Sequence, residues 1–152
     1  MYVDKQEEFS DAQAVTVTAI STNVLDLTQG YGSLTTIDIG TGEDMYLVVN
    51  VLAAFTAGGA ATMVVELLSD STENLATSPT THWTSATIAV ATLVAGYEIC
   101  KIKIPPAPPM YERYLGVRYT VATGPMLTGT VDAILVKDIQ SNRAYPGAFT
   151  VS

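Results

Sequence analysis

This chain of 152 residues predicts an all-β sandwich, with jelly rolls and Greek keys as the natural candidates. Three observations carry that expectation. Thr, Val, Ala and Ile dominate, and β-branched side chains suit a pleated surface better than a helix. Almost no stretch shows a helical apolar period. Breaks rich in Gly, Pro and Asn divide the chain into roughly eight short apolar runs, the punctuation of a compact all-β unit.

Taken in order, Met1–Glu8 is polar and charged and lacks the apolar stretch of a signal peptide. It opens an expected N-terminal arm, residues 1–11. Residues 14–20 alternate apolar and hydroxyl side chains in their central part, the pattern of a half-buried strand. Ser21–Asn23 reads as a turn and Val24–Leu27 as strand again. Gln29–Ser33 reads as a loop, 34–39 as a short strand and Gly40–Asp44 as a turn. Met45–Leu52 is nearly all apolar, as expected of a strand covered on both faces, by the opposite sheet and by a neighbouring subunit or arm. Gly58-Gly59 breaks the chain before a strand over 62–70. Residues 70–83 read as a loop, 87–93 and 97–104 as strands. Pro105–Pro109 stops any ladder, because proline has no N–H to donate. In 113–121, Leu115, Val117, Tyr119 and Val121 fall on one face. Gly124-Pro125 turns the chain into a last strand, 128–136. The sandwich is thus expected over 12–140 and a C-terminal arm over 141–152.

Composition narrows the function. Hydrophobic residues make up 48% and charged residues 14%, the reverse of a disordered chain. The net charge of -8, with only seven Lys and Arg, argues against nucleic acid, whose binders neutralise phosphates. The longest apolar stretch, Met45–Phe55, is interrupted by Asn50 and too short to span a bilayer. One histidine, His82, and one cysteine, Cys100, cannot close a zinc site within one chain. They lie in segments of different kinds and do not suggest a nucleophile and its base. Gly40–Asp44 lacks the Lys-Ser/Thr of a phosphate loop. The carboxylate pairs Glu7-Glu8, Glu43-Asp44 and Asp4-Asp11 read as solvated charge. No catalytic, cofactor-binding or metal residue is expected, and the chain does not read as an enzyme. Aromatic side chains near polar termini suit interface anchors instead.

The order of several weakly specific segments carries a resemblance. Met1–Gln6 with Ser10–Thr16, then Ala53–Thr62, Ile88–Tyr97, Glu112–Leu115 with Tyr119–Pro125, and Asn142–Pro146 with Phe149 resemble the capsid cement (decoration) proteins of short-tailed bacteriophages. The resemblance spans nearly the whole chain. It implies a jelly roll, self-association as dimer or trimer, and binding to the major capsid protein on the outer surface of the virion, after synthesis in the host cytoplasm. It implies no cofactor, no membrane and no nucleic acid as partner. The expected capsid or subunit interface comprises Tyr2, Val3, Lys5, Phe9, Trp83, Arg143, Tyr145, Pro146 and Phe149. Removal of the residues before Ser10 is expected to weaken capsid binding and spare the fold. Two other readings stand beside this one. A head–tail connector component is the first. The second is a carbohydrate-binding jelly roll, in which Trp83 and the tyrosines stack on sugar rings.

Overall fold

The computed structural model describes residues 5–27, 44–106, 109–137 and 139. A 3-10 turn over Lys5–Glu7 leads into ten strands. These are β1 (Glu8–Ala14), β2 (Ala19–Ile20), β3 (Leu25–Asp26), β4 (Tyr46–Ala57), β5 (Thr62–Asp70), β6 (Thr80–Thr84), β7 (Ile88–Ala89), β8 (Glu98–Lys103), β9 (Tyr114–Ala122) and β10 (Met126–Val136). A second 3-10 turn spans Val90–Thr92. No α-helix occurs among the described residues.

One sheet has the order β1-β10-β4-β8. The other has the order β2-β9-β5-β6, with β3 also on β9 and β7 also on β5. Every pairing is antiparallel. The pairs are nested: β5 with β6, β4 with β8, β2 and β3 with β9, and β1 with β10. The chain is therefore one long hairpin, rolled so that successive pairs fall in alternate sheets. That is the jelly roll the sequence led us to expect.

Alternation builds the core. Leu47, Val49 and Val51 of β4 meet Met63, Val65 and Leu67 of β5 and Leu115, Val117 and Tyr119 of β9 in one buried cluster. The Tyr119 hydroxyl lies 2.8 Å from Ser10 Oγ, so the one polar tip in this layer is paired. Burial holds that phenol well above its ordinary range. β4 is also covered on its outer face. There Val48 packs with Ile134 and Val136 of β10, against Tyr46 and Ile139.

Several boundaries differ from the sequence reading. Residues 14–20 are not one strand. β1 ends at Ala14, and the chain turns through 15–18, where Val15 N–H bonds Gly129 O and Met126 N–H bonds Thr16 O. The sandwich starts at Glu8, so Glu8–Asp11 belong to a sheet and not to an arm. β1 is irregular, with register shifts and Ala12 at φ 46, which removes the alternation that reveals a strand. Thr80–Trp83, read as loop, belong to β6, an edge strand on β5. β4 runs past Leu52 to Ala57. The expected strand over 34–39 lies outside the described residues.

Cys100 faces the core from β8. Burial pushes its thiol up to about 12. Thiolate is the reactive form, so the native protein at pH 8 should resist an aromatic disulfide reagent. In guanidinium the same thiol should react fully. Rapid reaction of the native chain would contradict this placement.

Candidate functional site

The jelly roll brings four connections together at one end of the sandwich: residues 15–18, 57–61, 90–96 and 122–126. Met126 pairs with Ala57, and Thr62 with both Ala122 and Ala89. Thr18 Oγ1 accepts the Val121 N–H, Val90 N–H bonds Ala61 O, and Phe55 N–H bonds Leu93 O. None of these connections carries an Asp, Glu, Lys or Arg. They lie within four longer runs, 12–25, 45–65, 74–97 and 119–131, that are equally free of them.

This end also concentrates exposed apolar surface. Five large hydrophobic side chains stand exposed among the described residues, and four lie around this end: Val17, Leu52, Val94 and Leu127. Leu127 is 64% exposed. Clustering of this kind marks a contact surface, whereas scattered apolar residues do not. Small residues, Ala53, Ala54, Gly58, Gly59 and Ala60, are exposed along the end of β4 and the connection that follows it. The sequence reading missed all four hydrophobics. The gaps between charges were visible, but their meeting depends on the nested pairing.

The other end is charged. Arg113 grips Asp26 through two hydrogen bonds, of 3.1 and 2.9 Å, and lies over the Tyr114 ring. Lys103 pairs with Asp44. The start of β1 and the end of β10 lie here, because Glu8 pairs with Ile134 whereas Ala14 pairs with Thr130 near the uncharged end.

Of the interface residues expected from sequence, Phe9 is 1% exposed and belongs to the core. It is corrected to a packing residue: β1 carries it inward between the sheets. Trp83 is half-buried against the same core. Lys5 is exposed in the first 3-10 turn. Tyr2, Val3, Arg143, Tyr145, Pro146 and Phe149 lie outside the described residues.

His82 sits on β6, where its ring stacks on Tyr111 at 3.9 Å. Ser69 Oγ accepts the Glu112 N–H at 3.0 Å and lies 2.7 Å from His82 Nε2. Ser69 is fully buried, and its hydroxyl can either donate to Nε2 or accept from it, according to the imidazole tautomer. Burial lowers the His82 pKa, and the Glu112 carboxylate opposes that only in part. An open cleft of about 580 Å³ lies between Ile20–Val24 and Thr72–Asn74. Ser21 Oγ, Asn23 Nδ2 and Asn74 Oδ1 on its walls are engaged within the fold.

Three groups give the fold an acid-side sensitivity. The Arg118 guanidinium, 2.9 Å away, holds Glu66 below its ordinary value despite burial, and the Thr120 hydroxyl helps. Burial would raise Asp70, but the N–H groups of Thr77, Thr72 and Ser78 and the Ser71 hydroxyl hold it down. His82 is also lowered. For each group the unfolded chain binds protons more readily, so stability is lost as pH falls. The His82 part starts near its ordinary value of 6.5 and the carboxylate parts below about 4.5. Melting should therefore fall between pH 8 and pH 5 by less in His82→Gln than in wild type. Equal falls in a calorimeter would contradict the His82 assignment.

No curated protein matches the chain. The model of the Bbp16 family matches residues 9–135, from the buried Phe9 of β1 to Leu135 near the end of β10, and the chain therefore belongs to the Bbp16 family.

Proposed function

We propose that this protein is a structural virion component: a capsid cement (decoration) protein that binds the outer surface of a shell of major capsid protein and stabilises it. The observation that carries the reading is the uncharged end of the jelly roll, with Val17, Leu52, Val94 and Leu127 exposed around it. Such a surface is built for contact with another macromolecule. Membership of the Bbp16 family and the resemblance to cement proteins support a phage shell as that partner. Self-association as a symmetric homo-oligomer would multiply weak contacts, since later ones become intramolecular. A ligand that binds only the assembled shell stabilises that shell by mass action.

The test is co-sedimentation of the purified chain with undecorated shells, followed by the melting temperature of the shells. Saturable binding at many copies per shell, with a raised melting temperature, is the expected result. Absence of binding would refute the cement reading and direct attention to a connector ring or to glycans. The N-terminal arm is tested separately, by a chain lacking residues 1–4, because β1 starts at the end opposite the uncharged one.

A further inference from the structure

We infer that the uncharged end is the face set against the shell, that it fits an uncharged and largely apolar patch there, and that the acidic remainder of the molecule points away. This rests on the cement reading above. The first support is the distribution of charge. The molecule carries a net charge of -8, yet residues 15–18, 57–61, 90–96 and 122–126 contribute no charged side chain. A surface meant for a basic partner would place its carboxylates at the contact, where opposite charges steer and orient association. Here none lies in the four connections, and the nearest to Leu52 in the sheet are Glu98 and Asp132, which flank Asn50.

The second support is the texture of the surface. Val17 is 59% exposed, Leu52 47%, Val94 54% and Leu127 64%, and Ala, Gly and Thr separate them. Small residues let a partner backbone come close, and the isolated larger ones can enter shallow pockets. A permanent interface between copies of one chain is usually more continuously apolar. This one tolerates water before it meets its partner, which suits a protein that folds first and then binds an assembled shell.

Contact of this kind responds to salt and to added charge in a distinctive way. Screening weakens attraction between charges but not burial of apolar surface. Wild-type affinity for shells is therefore expected to stay within about threefold, or to rise, between about 50 mM and 1 M NaCl. Leu127→Glu and Leu127→Lys are each expected to weaken binding by about tenfold or more, since either sign of charge would be buried unpaired. Leu127 is exposed, so both variants should melt like wild type.

Three results would overturn the inference. Affinity that falls steeply with salt would show a charged contact. A gain in affinity for one of the two charged variants, with loss for the other, would show a charged partner surface. Wild-type binding by both variants, with loss only of self-association in analytical ultracentrifugation, would make this end an interface between copies. The cement reading survives each of these, whereas failure of the wild type to bind at any salt refutes both.

Discussion

Phe9→Ala is expected to destabilise the protein by about 3–5 kcal/mol, the usual cost of emptying a buried phenylalanine site. Phe9 is 1% exposed and packs in the main core. Its carbonyl accepts the Asn23 N–H at 2.9 Å, and the next residue, Ser10, pairs with the Tyr119 hydroxyl. Among the described residues β1 is an edge strand paired only with β10, so the ring is a principal anchor of that edge. Domains of this kind are stable by about 5–15 kcal/mol, and such a loss is a large share of that. Guanidinium denaturation measures it directly. A variant within about 1 kcal/mol of wild type would show that β1 is not part of the cooperative core. The same fact changes the truncation expected from sequence. Removing everything before Ser10 deletes Phe9 and the first residue of β1, so lost binding by that chain would report unfolding. Stopping the deletion at Asp4 leaves β1 whole.

Phe9 was misread because a lone aromatic among Asp, Glu, Lys and Gln looks like an anchor on a solvated arm. The β1 segment Glu8–Ala14 has poor strand formers, and its bulge at Ala12 breaks the period. The reverse error occurred next to it. Residues 14–20 alternate well, yet Val15 is fully buried and Val17 is 59% exposed, because the chain turns a corner there. Where a strand is long and regular the sequence was sufficient. β5 spans Thr62–Asp70 as read, and in β9 Leu115, Val117 and Tyr119 are fully buried while Arg118 faces outward to Glu66. Short edge strands such as β6 are fixed by their neighbours, and no local pattern announces them. The uncharged end is a feature of the same type: each of its four connections is unremarkable alone, and only the order of pairing makes them one surface.

Gly129→Ala is the second change with a large expected effect, and its neighbourhood explains how that surface is shaped. Gly129 has φ +129, a conformation that side chains rarely adopt. A Cβ added there would lie 2.1 Å from Phe55 Cδ1 and 2.3 Å from Phe55 Cγ, inside the ring that fills the site. Backbone strain and overpacking act together, and the expected loss is about 3 kcal/mol or more. Gly58→Ala is the control. Nothing lies within 4 Å of its added Cβ and its φ is not positive, so it should be neutral or slightly stabilising through the unfolded chain. If both variants melt alike, the close approach of Phe55 to β10 is wrong. A double-mutant cycle separates the two contributions to the Gly129 effect. In a Phe55→Ala background the ring clash is gone and only the backbone strain remains, so Gly129→Ala should cost less there than in wild type. An equal cost would assign the whole effect to the backbone. Either way the site bears on the proposed docking surface. The register of β10 against β4 shifts between Met126 and Val131, and this irregular stretch holds both the buried Met126 and the exposed Leu127. A glycine that lets the strand bend over Phe55 thus sets Leu127 at the rim of the uncharged end, and a side chain at 129 should disturb shell binding as well as stability.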